Sequence, residues 1–424
     1  MANLNPPMSV TELLQLTHLG IPLEHITWPR VSMTSDNWIC IRHTRKGRPG
    51  KEKNSLVTVL NPYRADFPQT WQTTAGSVKM NPWKPFIALK GVDLVLELKP
   101  NIEVVEMSSR QYEKVRDKSE TKSRICTIVI TCDVNPMYLW EIPTVTSEIA
   151  PSGSLFQVYD LESRQLHRKH RVPYSVIFWT WINARIIGLV TEAAVYHWDL
   201  SNGGAPIKVF YRHARLANAE VVNYLVDDSL RWHALSALNI DDNCRICGLI
   251  QLYSSDQNLS QPFEAHAVTF SKYKFQGNQS ASTIMVVAVR GDGDTGKMHV
   301  IELGPYVEGN QAPLNLTETI KFEDQWEKYD FPVSVQVSSK FGLIYIMTKH
   351  GRIHLCDLET GVSLCSTVVS ADIMFTAVLN SETHGIIAIS RNGQVSFLGG
   401  REKRALGAIY ERRGQKTTHS RAAE

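Results

Sequence analysis

The chain has no uninterrupted apolar stretch approaching the ~18 residues of a membrane-spanning helix. Its start, MANLNPPMSVTELLQL, lacks the basic segment and apolar core of a secretory leader. Charge of one sign is scarce. The 45 Lys and Arg offset the 42 Asp and Glu to a formal net of +3, which by itself gives no reason to expect nucleic acid. Seven cysteines, Cys40, Cys126, Cys132, Cys244, Cys247, Cys356 and Cys365, are odd in number and scattered, so reduced thiols are expected rather than a disulfide framework. Without a leader, the sequons at Asn258, Asn278 and Asn315 carry no weight. These absences point to a cytoplasmic chain that reaches membranes only through partners. With 43% hydrophobic residues, it has ample material for a core.

What is present is a recurring strand phrase: a few alternating apolar residues, often Asp or Glu before Leu, then a turn. It reads VTVL to Leu60, FQVYDL to Leu161, AVYHWDL to Leu200, IQLY to Tyr253, HVIEL to Leu303, IHLCDL to Leu358 and VSFL to Leu398. Successive endings are 101, 39, 53, 50, 55 and 40 residues apart, and all but the first suit the about 40 to 50 residues of one four-stranded blade. Seven endings predict an all-β fold, a seven-bladed β-propeller. Blade one begins near residue 30, and the apolar set Leu13, Leu14, Leu16, Leu19 and Ile21 seats the N-terminus against the ring. Period-two patterning over residues 38–42 and 56–60 suggests strands with one face buried.

The long first gap contains a 62-residue segment, residues 91–152, whose removal restores a spacing of 39. It reads as an insertion in the second blade. Its middle, RQYEKVRDKSETKSR, has the composition of a solvated loop or helix. The segment is either a genuine loop or translated sequence foreign to the mature fold. Residues 1–398 therefore form the propeller. Residues 399–424 form a short basic tail, with seven Lys and Arg against three Glu from residue 401 onward, read as disordered rather than as a binding arm.

Catalytic patterns are suggested and fail. Gly291-Asp-Gly-Asp-Thr-Gly296-Lys297 has phosphate-loop spacing, but Met298 stands where a hydroxyl would hold magnesium, and MHVIEL continues as a strand instead of the helix such a loop requires. A tight hairpin is the better reading. Cys244-Arg-Ile-Cys247 lacks the two further ligands of a structural zinc. His197, His213, His266, His299 and His354 lie in or near strands and read as packing residues. No serine elbow, HExxH or Asp-rich run accompanies them. The expectation is a protein with no catalytic residues, no metal and no cofactor. The rival is a propeller enzyme with acids and histidines around a central channel.

Longer strings narrow the reading. VIFWTWINARIIGLVTEAAVYHWDL (176–200), IQLYSSDQNLSQPFEAHAVTF (250–270) and TKHGRIHLCDLETG (348–361) resemble the N-terminal propeller of the clathrin heavy-chain family. So do LQLTHLGI, SMTSDNWICIR, MNPWKPFIALK, AVRGDGDTGKMHVIELG and DFPVSVQVS. The resemblance runs in order from about Val10 to Leu398, broken chiefly by the insertion. It implies a binding platform at coated pits and cytoplasmic vesicles, which captures short linear peptides of adaptor complexes and endocytic accessory proteins in intracellular transport.

The resemblance also implies site residues. A groove between blades one and two would use Ile87 and Leu89 as an apolar wall, Gln157 and Tyr159 as strand contacts and Arg164 as a cation. The alternative is that these residues simply pack blade two. A second groove, between blades four and five, maps to Trp232, Leu252, Leu259, Gln261, Phe263 and Ile301. An axial site maps to Trp28, Glu220 and Val222, with Trp28 suited to stack on an aromatic ligand. The chain departs from the family at Trp71, Leu166, Gln257 and Asn315, where basic residues are expected, and at Glu220, where a neutral amide is. The family's helical leg, light-chain site and trimerisation hub have no counterpart after Leu398, so no light-chain binding and no self-built lattice are expected. A non-functional truncated copy is a further alternative, since the insertion falls in a groove-forming blade.

Overall fold

The computed structural model describes residues 8–44, 55–64, 66–91, 96–97, 154–241, 245–291, 293–305, 307–322 and 330–400. Most of the 91–152 insertion, the tail after Gly400 and Cys244 lie outside the described residues.

The strands form seven sheets, the blades of a β-propeller. Blade one holds Val31–Ser35, Trp38–Thr44, Ser55–Leu60 and Gln69–Thr73. Blade two holds Ser77–Met80, Phe86–Gly91, Leu155–Asp160 and Gln165–Arg171. Blade three holds Val176–Trp181, Ile186–Thr191, Ala194–Asp199 and Ile207–Tyr211. Blade four holds Glu220–Val226, Trp232–Ile240, Ile246–Ser254 and Leu259–Glu264, and blade five Ala267–Tyr273, Ser282–Arg290, Thr295–Leu303 and Asn315–Lys321. Blade six holds Pro332–Ser338, Leu343–Thr348, Arg352–Asp357 and Ser363–Val368. Blade seven takes three strands from near the C-terminus, Met374–Leu379, Ile386–Ser390 and Gln394–Gly400, and its fourth, Met8–Gln15, from the N-terminus.

Every one of the seven repeated phrases is the third strand of its blade. The Asp that often ends the phrase has a physical task. Asp160, Asp199 and Asp357 each accept backbone N–H bonds from the second residue onward, and Asp160 and Asp357 also from the third, closing an Asx turn into the fourth strand. The following Leu packs inward: Leu200 and Leu358 are buried in core clusters, and Leu161 packs against another.

By internal contacts the chain divides into two compact units, one of residues 17–192 and 196–208, the other of residues 1–16, 193–195 and 209–424. In the first unit, strand alternation sends Ile87, Leu89, Leu155 and Tyr159 into a core with Cys40, Val57 and Val59 of blade one. Their neighbours Ala88, Phe156 and Val158 enter a second core with Trp179, Trp181, Ile187 and Leu189 of blade three. Two buried faces per strand correct the one-face expectation for residues 38–42, where Ile39, Cys40 and Ile41 are all buried. In the second unit, equivalent cores form between blades four and five, five and six, and six and seven.

Blade two is continuous across the insertion. Phe86–Gly91 pairs directly with Leu155–Asp160, from Phe86 opposite Asp160 to Gly91 opposite Leu155. The inserted chain begins by returning to blade one, where Leu96–Glu97 adds a fifth strand beside Gln69–Thr73. The phosphate-loop look-alike joins the antiparallel strands Ser282–Arg290 and Thr295–Leu303 as a hairpin, with Arg290 opposite Gly296 and Gly293 at φ +75°. Among the described residues, no helix is long and apolar enough to cross a membrane.

Candidate functional site

The first predicted set lies in blade two. Ile87 sits opposite Tyr159 and Leu89 opposite Gln157, so the register aligns all four on the side facing blade one. Ile87 and Leu89 are fully buried, and Gln157 and Tyr159 nearly so. The Tyr159 hydroxyl donates to Gln157 Oε1 at 2.8 Å, which satisfies two polar groups in an apolar setting. These residues form the floor of the face. Its exposed part is carried by Leu166, 45% exposed and opposite Tyr159, and by Arg164, which turns at φ +54° at the end of the Asp160 Asx turn. Trp71 packs, half-buried, against the same core from blade one.

The second predicted set lies within one compact unit, all but Ile301 sharing one face of blade four. Trp232 stands opposite Ser254, which stands opposite Leu259. One step along, Ala234, Leu252 and Gln261 are in line, then Ile250 and Phe263. Leu252 and Phe263 pack, with Ile301 of blade five, over a buried cluster that includes Ala234, Ile250, Met285 and Val287. Leu259 is 58% exposed, Gln261 is exposed, and Trp232, Leu252, Phe263 and Ile301 are half-buried. The Ser254–Leu259 turn is held by Asn258 at φ +49°, whose side-chain oxygen accepts from the Tyr253 hydroxyl at 3.1 Å. Gln257 and Asn315, at the positions expected to be basic, are both exposed.

The axial residues fall in different compact units. Trp28 is 41% exposed in a turn before blade one, and Glu220 and Val222 lie on the first strand of blade four, exposed and half-buried respectively.

The histidines behave as packing and turn residues. His266 accepts the Arg290 N–H at Nδ1 and meets the Ile246 carbonyl at Nε2, and His213 accepts from the Arg215 N–H. His43, His233 and His354 are pushed down to about 4, burial being the first cause in each. Among the described residues, no group of three His, Cys, Asp or Glu side chains is arranged to hold a metal ion. A cleft lined by Val226, Asp227, Phe270, Lys272 and Thr283 encloses only about 40 Å³, well below the roughly 300 Å³ at which small-molecule sites begin.

No family model matches the chain. It is 31% identical to clathrin heavy chain 2 of Homo sapiens over 389 residues, covering 92% of this chain and 20% of that protein. Probable clathrin heavy chain 1 of Caenorhabditis elegans is 35% identical over 389 residues, covering 92% of this chain and 19% of that protein. The chain is a homologue of the clathrin heavy chains. It spans about one fifth of the length of these clathrin relatives. A chain in the crystal structure of the mitotic checkpoint complex superposes with a TM-score of 0.51 at 11% identity, covering 95% of this chain and 96% of that one. At that identity the likeness speaks for the fold alone.

Trp71 and Leu166 occupy the two positions where the resemblance leads to the expectation of a cation. Sequence reasoning did not single out Lys169 and Arg171, three and five residues beyond Leu166. They lie opposite Gln157 and Leu155 and so share the face of the first site. The signal was present in the charge run RQLHRKHR, residues 164–171.

Proposed function

We propose that this chain is a docking module of vesicle coats that binds short linear peptides of adaptor complexes and endocytic accessory proteins. It acts without catalysis, in the cytoplasm at coated pits and vesicles. The observation that carries the reading is the apolar face of blade four, where Leu252 and Phe263 pack with Ile301 over a buried core and Trp232 and Leu259 share the face by register, all five partly open to solvent. A peptide leucine laid there would cover Leu259 and complete the burial of Trp232. Each fully buried side chain of this size contributes about 1.5 to 3 kcal/mol, so a single contact is weak and a coat gains through many linked contacts. The first set, Ile87, Leu89, Gln157, Tyr159 and Arg164, supports a second docking face in which the buried four hold the shape and Arg164 with Leu166 meets the ligand.

The test is fluorescence anisotropy with labelled peptides carrying spaced leucines followed by acidic residues. Trp232→Ala with Leu259→Asp is expected to weaken binding by roughly tenfold or more, as loss of one well-buried anchor does. Unchanged affinity in that variant would remove the blade-four face from the reading. Loss of all binding on Leu166→Asp with Arg164→Ala would instead assign docking to the first face.

A further inference from the structure

In blades two to seven the fourth strand is an edge, with one side of its backbone unpaired within the sheet among the described residues, whereas in blade one Gln69–Thr73 is followed by Leu96–Glu97. The fourth strands of six blades carry at most one permanent cation: QTWQT, IKVFY, LSQPFE, NLTETIK, SLCSTV and MSVTELLQ. The seventh, Gln165–Arg171 of blade two, reads QLHRKHR. A charged edge can serve merely to repel unwanted strands. The other six carry at most two charged side chains each, against three permanent cations here, so guarding alone does not account for this one.

The two faces of the strand differ. Arg168 is engaged, its Nε donating to the Leu200 carbonyl at 2.7 Å, and His170 lies 5.7 Å from the Trp198 ring. On the opposite face, Lys169 and Arg171 are exposed, and among the described residues neither has a carboxylate within ion-pair distance. A bulge between Leu166 and Arg168 keeps Leu166 on that same face, beyond Lys169. The edge of blade one shows that a sheet of this unit accepts an added strand, since Leu96–Glu97 pairs there and sets Glu97 opposite Gln72.

We propose that Gln165–Arg171 is a docking strand for an acidic, extended polypeptide that adds to blade two as a fifth strand. Acidic side chains at alternate positions of the added strand lie opposite Lys169 and Arg171, and an apolar side chain lies against Leu166. The unpaired backbone selects this ligand over a lipid surface or a nucleic acid, because only another polypeptide offers N–H and C=O groups at strand spacing. Opposite charges directly across a strand pair add to the main-chain bonds. This site is separate from the blade-four face, and its ligand is distinguished by alternating acids rather than by spaced leucines.

The test uses the full chain and a labelled peptide of alternating glutamate and valine, with three comparisons: glutamine in place of glutamate, N-methylation of alternate backbone nitrogens, and the chain variant Lys169→Glu with Arg171→Glu. Each comparison is expected to weaken binding by roughly tenfold or more, with the thermal midpoint of the variant unchanged and Trp232→Ala without effect. Equal binding of the N-methylated peptide would overturn strand addition in favour of plain electrostatic adhesion. Full affinity in the charge-reversed variant, or no binding of the glutamate peptide, would overturn the site. Binding lost only in Trp232→Ala would show the peptide seated on blade four and overturn it equally.

Discussion

At the scale of single residues, three buried histidines carry a pH dependence whose sign is fixed by their surroundings. His43 meets the Thr58 hydroxyl at 2.7 Å, His233 lies between the Tyr224 and Ser255 hydroxyls at 2.9 and 2.8 Å, and His354 packs edge-on against Phe322. Burial pushes each down from 6.5 to about 4, assisted at His43 by His25 and at His354 by Arg352, and opposed at His233 by the Leu230 backbone and Asp227. Below 6.5 the unfolded chain takes up protons that the folded chain refuses. The stability these groups contribute is therefore complete above 6.5 and is lost as the pH falls toward 4. Calorimetry at closely spaced pH values should show the melting temperature falling between about 6.5 and 5, above the range in which ordinary carboxylates titrate. A flat profile over that window would mean the three imidazoles are not held neutral by the fold.

At the scale of elements, legibility followed exposure. The third strand of each blade is paired on both sides and packed on both faces, as in LIQLYS of blade four and RIHLCD of blade six, so its composition is narrowly constrained. The fourth strands face solvent and vary freely, which left QTWQT and SLCSTV without a recognisable phrase. The same physics limited the reading of the first site. The resemblance supplied Ile87 and Leu89 as an apolar wall, and alternation, which marks the residues that face the neighbouring blade but not how deep they lie, could not tell that both are fully buried. The blade-four set was supplied by the resemblance, and the structure lays Trp232, Leu252, Leu259, Gln261 and Phe263 on one face of three consecutive strands, with Ile301 on blade five. The insertion was legible as a break in period, and the direct pairing of Phe86–Gly91 with Leu155–Asp160 explains why. Replacing residues 92–154 by a two-residue Asn-Gly turn should preserve that register. The expected outcome is a soluble chain that unfolds cooperatively, its stability within about 3 kcal/mol of the parent, the range set by the change in connection length. Urea titration would read it, and loss of cooperative unfolding would show that blade two depends on the inserted residues.

At the scale of the whole molecule, the two ends of the described chain are joined in one sheet. Met8–Gln15 lies antiparallel to Gln394–Gly400 from Met8 opposite Gly400 to Gln15 opposite Gln394, and the next backbone bond, Leu16 N–H to the Gly393 carbonyl, is 2.9 Å. The strand brings little local propensity of its own, since its middle residues, Thr11, Glu12 and Leu13, are exposed or half-buried. Its hold comes from main-chain pairing and from Met8 and Leu14, both buried. Met8 enters the same cluster as Tyr345, Leu355, Ile386 and Leu398, so the N-terminus contributes to the core between blades six and seven. Removing residues 1–15 strips that side chain from the cluster and turns Gln394–Gly400 into an open edge. Two buried apolar side chains of this size account for about 3 to 6 kcal/mol, before any ladder bonds are counted, so the truncated chain should melt well below the parent and aggregate through the exposed strand. A synthetic peptide of residues 1–17 added in trans should restore part of the melting temperature in proportion to its concentration, because it binds only the folded form. An unchanged midpoint after truncation would show that the terminal strand is dispensable to blade seven.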